Sequence, residues 1–216
     1  MNSRREQLDA TVVNIELTLG SIIQAVALTF LAESASSELA VRRWSGLLYL
    51  SAGLFIIFIF WSRSVIHTLT LIRWPIEFGH NFLYIACAVG ESILFARLGR
   101  PLAWFELSAI YAALVWLLFI YDLRLVRARL AEAADEIARE IYGRTLRDQW
   151  RNIALFIPLL FLFNLGAALA IRGHPAFFIA RDGHLLVIAA QLVCFALYLL
   201  YVVRFFSKIA PLLARD

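Results

Sequence analysis

Apolar residues fill six stretches of this chain almost without interruption, at roughly 12–32, 44–62, 78–97, 102–121, 152–171 and 184–204. About 20 such residues cross the hydrocarbon core of a bilayer as a helix. The pattern therefore predicts six spans. Arg97-Leu98-Gly99-Arg100 followed by Pro101 predicts a tight turn between the third and fourth. Arg172-Gly173-His174-Pro175 breaks the chain after the fifth, and Arg181-Asp182-Gly183 precedes the sixth. One connection is long. Over residues 122–151 apolar residues recur at Leu123, Val126, Leu130, Ala134, Ile137 and Ile141, with no proline and only Gly143. Steps of three and four predict one helix with a narrow apolar seam. Asp135/Arg139 and Glu140/Arg144 are supporting i,i+4 pairs. The seam suits a solvated helix continuing the fourth span, or a surface for a partner.

Inside the third stretch the pattern carries polar residues. On a wheel of 100° per residue, Glu77, His80, Asn81, Tyr84 and Glu91 share one wedge of about 100°. Lipid cannot solvate such a stripe, so it is expected to face protein or water. The first stretch has a milder stripe of Asn14, Thr18, Ser21 and Ala25, continued by Leu28. Small and hydroxyl side chains let helices approach closely. The same stripe, repeated around a symmetry axis, lines a narrow water-filled path with Leu28 as an apolar constriction.

Composition enters here. The 216 residues are 62% hydrophobic, with a mean hydropathy of +0.78, more than a soluble domain of this size hides. The polar start MNSRREQLDA does not read as a cleavable leader. Cys87 and Cys194 lie inside apolar stretches, so no structural disulfide is expected. The net charge of +4 sits beside the spans, which points to orientation in the bilayer and away from nucleic acid. With both termini inside, the inner segments hold 14 Arg and Lys and the outer loops 6. That bias places the termini and residues 122–151 in the cytoplasm; nineteen Arg against a single Lys, a habit of GC-rich bacterial genomes, makes a bacterial inner membrane the expected one. Trp44, Trp61, Trp74, Trp104 and Trp150 fall near span ends, where indoles favour the interface.

The expected fold is all-α: a polytopic bundle of six transmembrane helices. Residues 1–121 hold four spans, 122–151 a long cytoplasmic charged helix, and 152–216 the last two spans and the tail. Two polar networks are expected. One at the outer end joins Glu91, Glu106 and Arg97 or Arg100. The other, at the inner end, joins Asn14, Glu16, Glu77, His80, Asn81, Tyr198, Tyr201 and Arg204 across the first, third and sixth spans. Three roles stay open for them: a satisfied packing network, an ion or proton pathway, and a ligand pocket. No zinc-protease, Walker or phosphate-loop motif occurs, so no enzyme is expected. His67 and His80 have a spacing conceivable for haem, but Arg73-Trp74-Pro75 interrupts the helix between them. No cofactor or metal is expected. His174 and His184 are read as solvated outer residues.

Three strings carry a family resemblance. They are AVALTFLAE at Ala25–Glu33, FIIFIFWSRSVIH at Phe55–His67, and Asn81 early in the third span. They resemble the first three helices of the endosomal and lysosomal potassium channels and their shorter six-helix bacterial relatives. That family's Phe-Ser-Asp-Gly signature falls here on Leu19, Gly20, Ser21 and Ile22. The resemblance implies a tetramer whose first helix lines the pore. The leading expectation is thus an oligomeric, cation-conducting channel with Asn14, Thr18, Ser21, Ala25 and Leu28 on its axis. The alternatives are a non-conducting sensor or scaffold recruiting a soluble partner through 122–151, and a small proton-coupled transporter with Glu77 and Glu91 as its proton sites. The bilayer is the one partner expected in every case.

Overall fold

The computed structural model describes residues 2–40, 45–72 and 77–214. Those residues are helical almost throughout, with no strand among them. Eight α-helices follow in order: α1 (Asn2–Ala40), α2 (Gly46–Leu71), α3 (Phe78–Phe95), α4 (Pro101–Glu132), α5 (Glu136–Arg151), α6 (Ile157–Gly173), α7 (Pro175–Phe178) and α8 (His184–Leu213). A π-helical turn, Asn152–Phe156, joins α5 to α6. Six helices are long and apolar enough to cross a membrane, α5 and α6 counting as one continuous run. By length and composition this is a multi-pass helical membrane protein.

The expected turns form as their residues dictate. Gly99 takes φ +76, and Pro101 opens α4. A Cβ on Gly99 would sit 2.7 Å from the Glu38 carboxyl, so both conformation and space require glycine there. Gly173 closes α6, and α8 begins directly after Gly183. The turn Asn152–Phe156 precedes Pro158, which has no N–H for the carbonyl four residues back. The freed carbonyl lets that turn widen.

The connection 122–151 differs from the expected single helix. α4 runs on to Glu132, the chain breaks at residues 133–135, and α5 folds back. Asp135 causes the restart: its backbone is extended and its carboxylate accepts the Ala138 N–H at 2.7 Å. The hairpin buries the seam against its own chain. Val126, Ala138, Ile141 and Tyr142 pack with Leu71 beside Leu212 and Leu213. Local periodicity was compatible with a straight helix; the cap and this packing select the bend.

The helices form two groups. α1, α2 and α8 pack in one row and α3, α4 and α6 in another, with α1 against α3 closing one edge. The core lies between the rows, around Leu31, Tyr49, Phe95, Trp104 and Phe105, and reaches α6 and α8 through Ile171 and Ile188. Trp104 is fully buried and donates to Gln191 at 3.0 Å, so it anchors the core and not an interface. Trp61 and Trp150 are exposed, while Trp44 and Trp74 lie outside the described residues. So do Arg42, Arg43, Arg73 and Arg215 of the charge count. Cys87 and Cys194 are free thiols, the first buried and the second exposed.

Candidate functional site

The α3 wedge faces protein. His80, Tyr84 and Glu91 are buried, whereas Phe78, Phe82, Ile85, Val89 and Ile93 cover the opposite, exposed face. Glu91 is wholly buried between α1 and α4. It accepts from the Tyr111 hydroxyl at 2.7 Å and from the Gln24 amide at 3.4 Å. About two to three turns away in the same α1–α3 interface, toward the start of α3, the Asn81 amide donates to Glu16 at 2.8 Å. Both carboxylates therefore meet neutral donors, which anchor a polar group without adding a charge.

The expected outer network is assembled differently. Glu106 pairs with Arg172 at the surface, not with Glu91, and Arg97 and Arg100 are exposed. Tyr111 took the place of the arginine because it reaches Glu91 from the facing helix. His184 is not solvated: it is buried and shares a 2.9 Å hydrogen bond with Tyr49. The expected inner ring divides in two. Glu16 and Asn81 join α1 to α3, and Glu77 meets Arg124 at 3.4 Å near the surface. The α8 tyrosines go elsewhere: Tyr198 donates to Asn152 and Tyr201 to Asp148. Arg204 is exposed, as is Asn14. α8 packs on α2 and α5, not beside α1 and α3, which is why one ring cannot close.

Between the two rows lies a cavity of about 780 Å³, in the size range of small-molecule sites. Its walls are mostly apolar, with Phe60, Val115, Phe119, Leu160, Phe163 and Phe195 among them. Charge collects where α2, α4 and α8 approach their C-terminal ends and α3 and α6 begin. There Arg63 donates to Asp148 at 2.5 Å, and Asp148 also accepts from Tyr201 at 2.7 Å. The Arg63 guanidinium lies over the Phe119 ring at 5.2 Å and the Phe205 ring at 5.8 Å, a setting that suits a weakly hydrated cation. Beside it His80 donates through Nδ1 to Asp122 at 2.9 Å, and His67 Nδ1 stands 3.7 Å from the other carboxylate oxygen.

His67, His80 and Asp122 bring ligand-type atoms within 4.8 Å of one another. The two imidazoles, however, are stacked face to face, with centroids 4.4 Å apart and planes within 8° of parallel. A metal lies in the plane of each imidazole it binds, and one ion cannot lie in both of these planes. As arranged, the trio is a histidine pair bridged by a carboxylate. On residues that line the cavity, His67 Nε2, Arg63 Nε and Nη1, and Ser108 Oγ are buried without a hydrogen-bond partner. Buried polar atoms are nearly always satisfied by protein, water or ligand.

Of this site, the sequence pattern pointed to His80, Tyr84, Tyr198 and Tyr201 as network members, and to His67 only through its spacing from His80. Arg63, Asp122 and Asp148 sit at the edges of apolar stretches and read there as interfacial or solvated charges. The one usable signal was spacing: Asp148, Asn152 and the α8 pair Tyr198 and Tyr201 repeat at helical intervals.

The first-helix stripe lies on the opposite side of α1 from the bundle. Asn14, Thr18, Ser21, Ala25 and Leu28 are all exposed, and Glu16, Gly20, Gln24 and Ala27 face inward. The Thr18 and Ser21 hydroxyls bond to carbonyls one turn back, each at 2.8 Å. No family model, curated protein or solved structure matches this chain.

Proposed function

We propose that this protein binds a small molecule inside its helix bundle, as a carrier or a membrane-embedded receptor. One observation supports this reading above the others: a cavity of about 780 Å³ whose wall holds partnerless polar atoms on Arg63, His67 and Ser108. A purely structural bundle fills such space with side chains, because unfilled volume is destabilising. A convergent polar cluster in an apolar pocket is the usual form of a ligand site. The reading is one of binding and not of catalysis, and it keeps the transporter among the expected functions. Its titratable wall is then His67, His80 and Asp122, since Glu91 is held by Tyr111 and Gln24.

Native mass spectrometry of protein extracted gently from its membrane tests the proposal. A small-molecule adduct is expected on the parent chain and is expected to vanish in Ala112→Phe, which fills the cavity. Ile93→Phe, on the exposed face of α3, is the control. An adduct retained by Ala112→Phe, or none on the parent, rules the reading out.

A second reading has its own observation. The stripe Asn14 to Leu28 faces away from the bundle, where copies of the chain around an axis would meet it. In that reading the protein is a homo-oligomeric channel in a bacterial inner membrane, tetrameric if the family resemblance holds. Planar-bilayer recording decides: Leu28→Ser raises conductance and Leu28→Trp abolishes it, whereas two unchanged variants exclude the pore. Orientation is proposed with both termini inside. Cysteine labelling at positions 37 and 135 checks it, and outside-only labelling of 135 inverts the topology. A soluble partner, if there is one, meets the charged outer face of α4 and α5, because most of their apolar seam is covered within the chain.

A further inference from the structure

The cavity has a side entrance. α6 packs on α4 and α8 packs on α2, so α6 and α8 bound the open edge between the two rows. Two side-chain ties cross that edge. The Gln191 amide donates to Asn164 at 2.7 Å near one end, and Tyr198 donates to Asn152 near the other. The ties are seven residues apart on α8, about 10 Å at 1.5 Å per residue. Between them, Leu159 and Leu162 of α6 and Cys194 and Leu197 of α8 line the cavity and are also exposed on the outside. Residues that do both mark an opening. It lies at mid-height on the apolar surface, so whatever passes through it comes from lipid and not from water.

The far end of the cavity restricts the passenger's charge. Arg63 is already paired with Asp148, and His80 with Asp122. Those groups carry one arginine against two carboxylates and the His67–His80 pair. An additional anion would meet two acidic residues and a cation already committed to one of them. Introducing an unpaired charge into such a site is costly. A neutral oxygen is suited to it, because it accepts from a guanidinium N–H without adding charge.

We infer that the cavity takes a single-chain lipid with an uncharged, oxygen-bearing head, which enters from the bilayer between α6 and α8. The inference rests on the cavity being the functional site. The head sits by Arg63 and His67 and the chain runs along the Phe60, Phe163 and Phe195 walls. The volume suits one chain and a small head and is too small for a two-chain phospholipid.

The test uses purified full-length protein in detergent, after delipidation, with three probes that share an oleyl-type chain: monoolein, oleyl alcohol and oleate at pH 8. Native mass spectrometry is expected to show one monoolein or oleyl alcohol per chain, and oleate binding at least about a hundredfold weaker, the scale of an unpaired buried charge. Oleate binding as tight as the neutral probes overturns the charge assignment. Pyrene-maleimide at Cys194, the exposed thiol, is expected to slow monoolein entry several-fold, with Cys194→Ser protected from that effect. An unchanged entry rate overturns the side entrance. Tyr198→Phe removes one tie and keeps the Arg63–Asp148 pair, and is expected to speed entry; an unchanged entry rate in this variant also counts against the side entrance. Should none of the probes bind while a natural adduct persists on the parent and is lost in Ala112→Phe, this inference falls and the cavity reading stands.

Discussion

Two buried carboxylates illustrate opposite ways of housing a charge in an apolar bundle. Glu91 sits between α1, α3 and α4, where Tyr111 and Gln24 each give it a neutral donor. Asp148, at the junction of α2, α5 and α8, meets a full cation, Arg63, together with Tyr201. Glu91 itself lies off the cavity, packed beside the core at Leu94 and Phe95, and Tyr111 stands between it and the cavity. Around Asp148 the helices stand apart, and the cavity runs alongside Arg63. The first arrangement holds helices together. The second holds a charged pair beside open space, with donors left over, and that combination is what a ligand site needs.

The comparison can be broken most directly at the ion pair. Asp148→Ala leaves Arg63 buried and uncompensated, and is expected to cost about 3–5 kcal/mol of stability. The double variant Arg63→Met/Asp148→Leu is expected to recover most of that. Thermal or steric-trap unfolding in bicelles measures both. Recovery failing in the double variant would mean that the pair fixes the geometry of the junction, not merely its charge balance.

Glu91→Leu comes next, at about 1–3 kcal/mol, the cost of stranding the Tyr111 hydroxyl and the Gln24 amide. Glu91→Gln keeps an acceptor and is expected to stay within about 1 kcal/mol of the parent. If Glu91→Leu were the costlier of the two carboxylate losses, the contrast between a closed and an open site would be reversed.

A smaller effect sharpens the same contrast from the hairpin. Asp135→Ala removes the N-cap of α5 and is expected to cost about 1 kcal/mol. Because α5 carries Asp148, the loss should appear in probes near Tyr201 and leave those near Tyr111 unmoved, as read by hydrogen exchange. Smallest of all is Thr18→Val on the exposed stripe, expected within about 0.5 kcal/mol for the isolated chain. A larger loss, dependent on protein concentration, would instead indicate that α1 is an oligomer contact.

Much of the fold was legible because the bilayer imposes a length scale on the chain. Six apolar runs of about 20 residues, with turns at Gly99-Arg100-Pro101 and Gly173-His174-Pro175, define the helices before any contact is known. The inward face of α3 was legible for a similar reason: its polar residues share one wedge, and lipid excludes them. What that wedge would meet was not. Nothing local distinguishes Tyr111 or Gln24 as partners for Glu91 from Arg97 or Glu106, since all lie on other helices or beyond a turn.

The sequence by itself determined which segments are apolar helices, where they turn, and which face of α3 avoids lipid, because those properties depend on composition and on the 3.6-residue period. Only the tertiary structure decided the rest. The break at Ala133–Asp135 followed from a cap and from packing against Leu71, Leu212 and Leu213. The pairing of Arg63 with Asp148, 85 residues apart, followed from α5 folding back toward α2 and α8. The cavity and its side entrance followed from two rows of helices that close at α1 and α3 and stand apart at α6 and α8. Such features are relations between helices, set by how side-chain surfaces fit across a distance, and no window along the chain contains them.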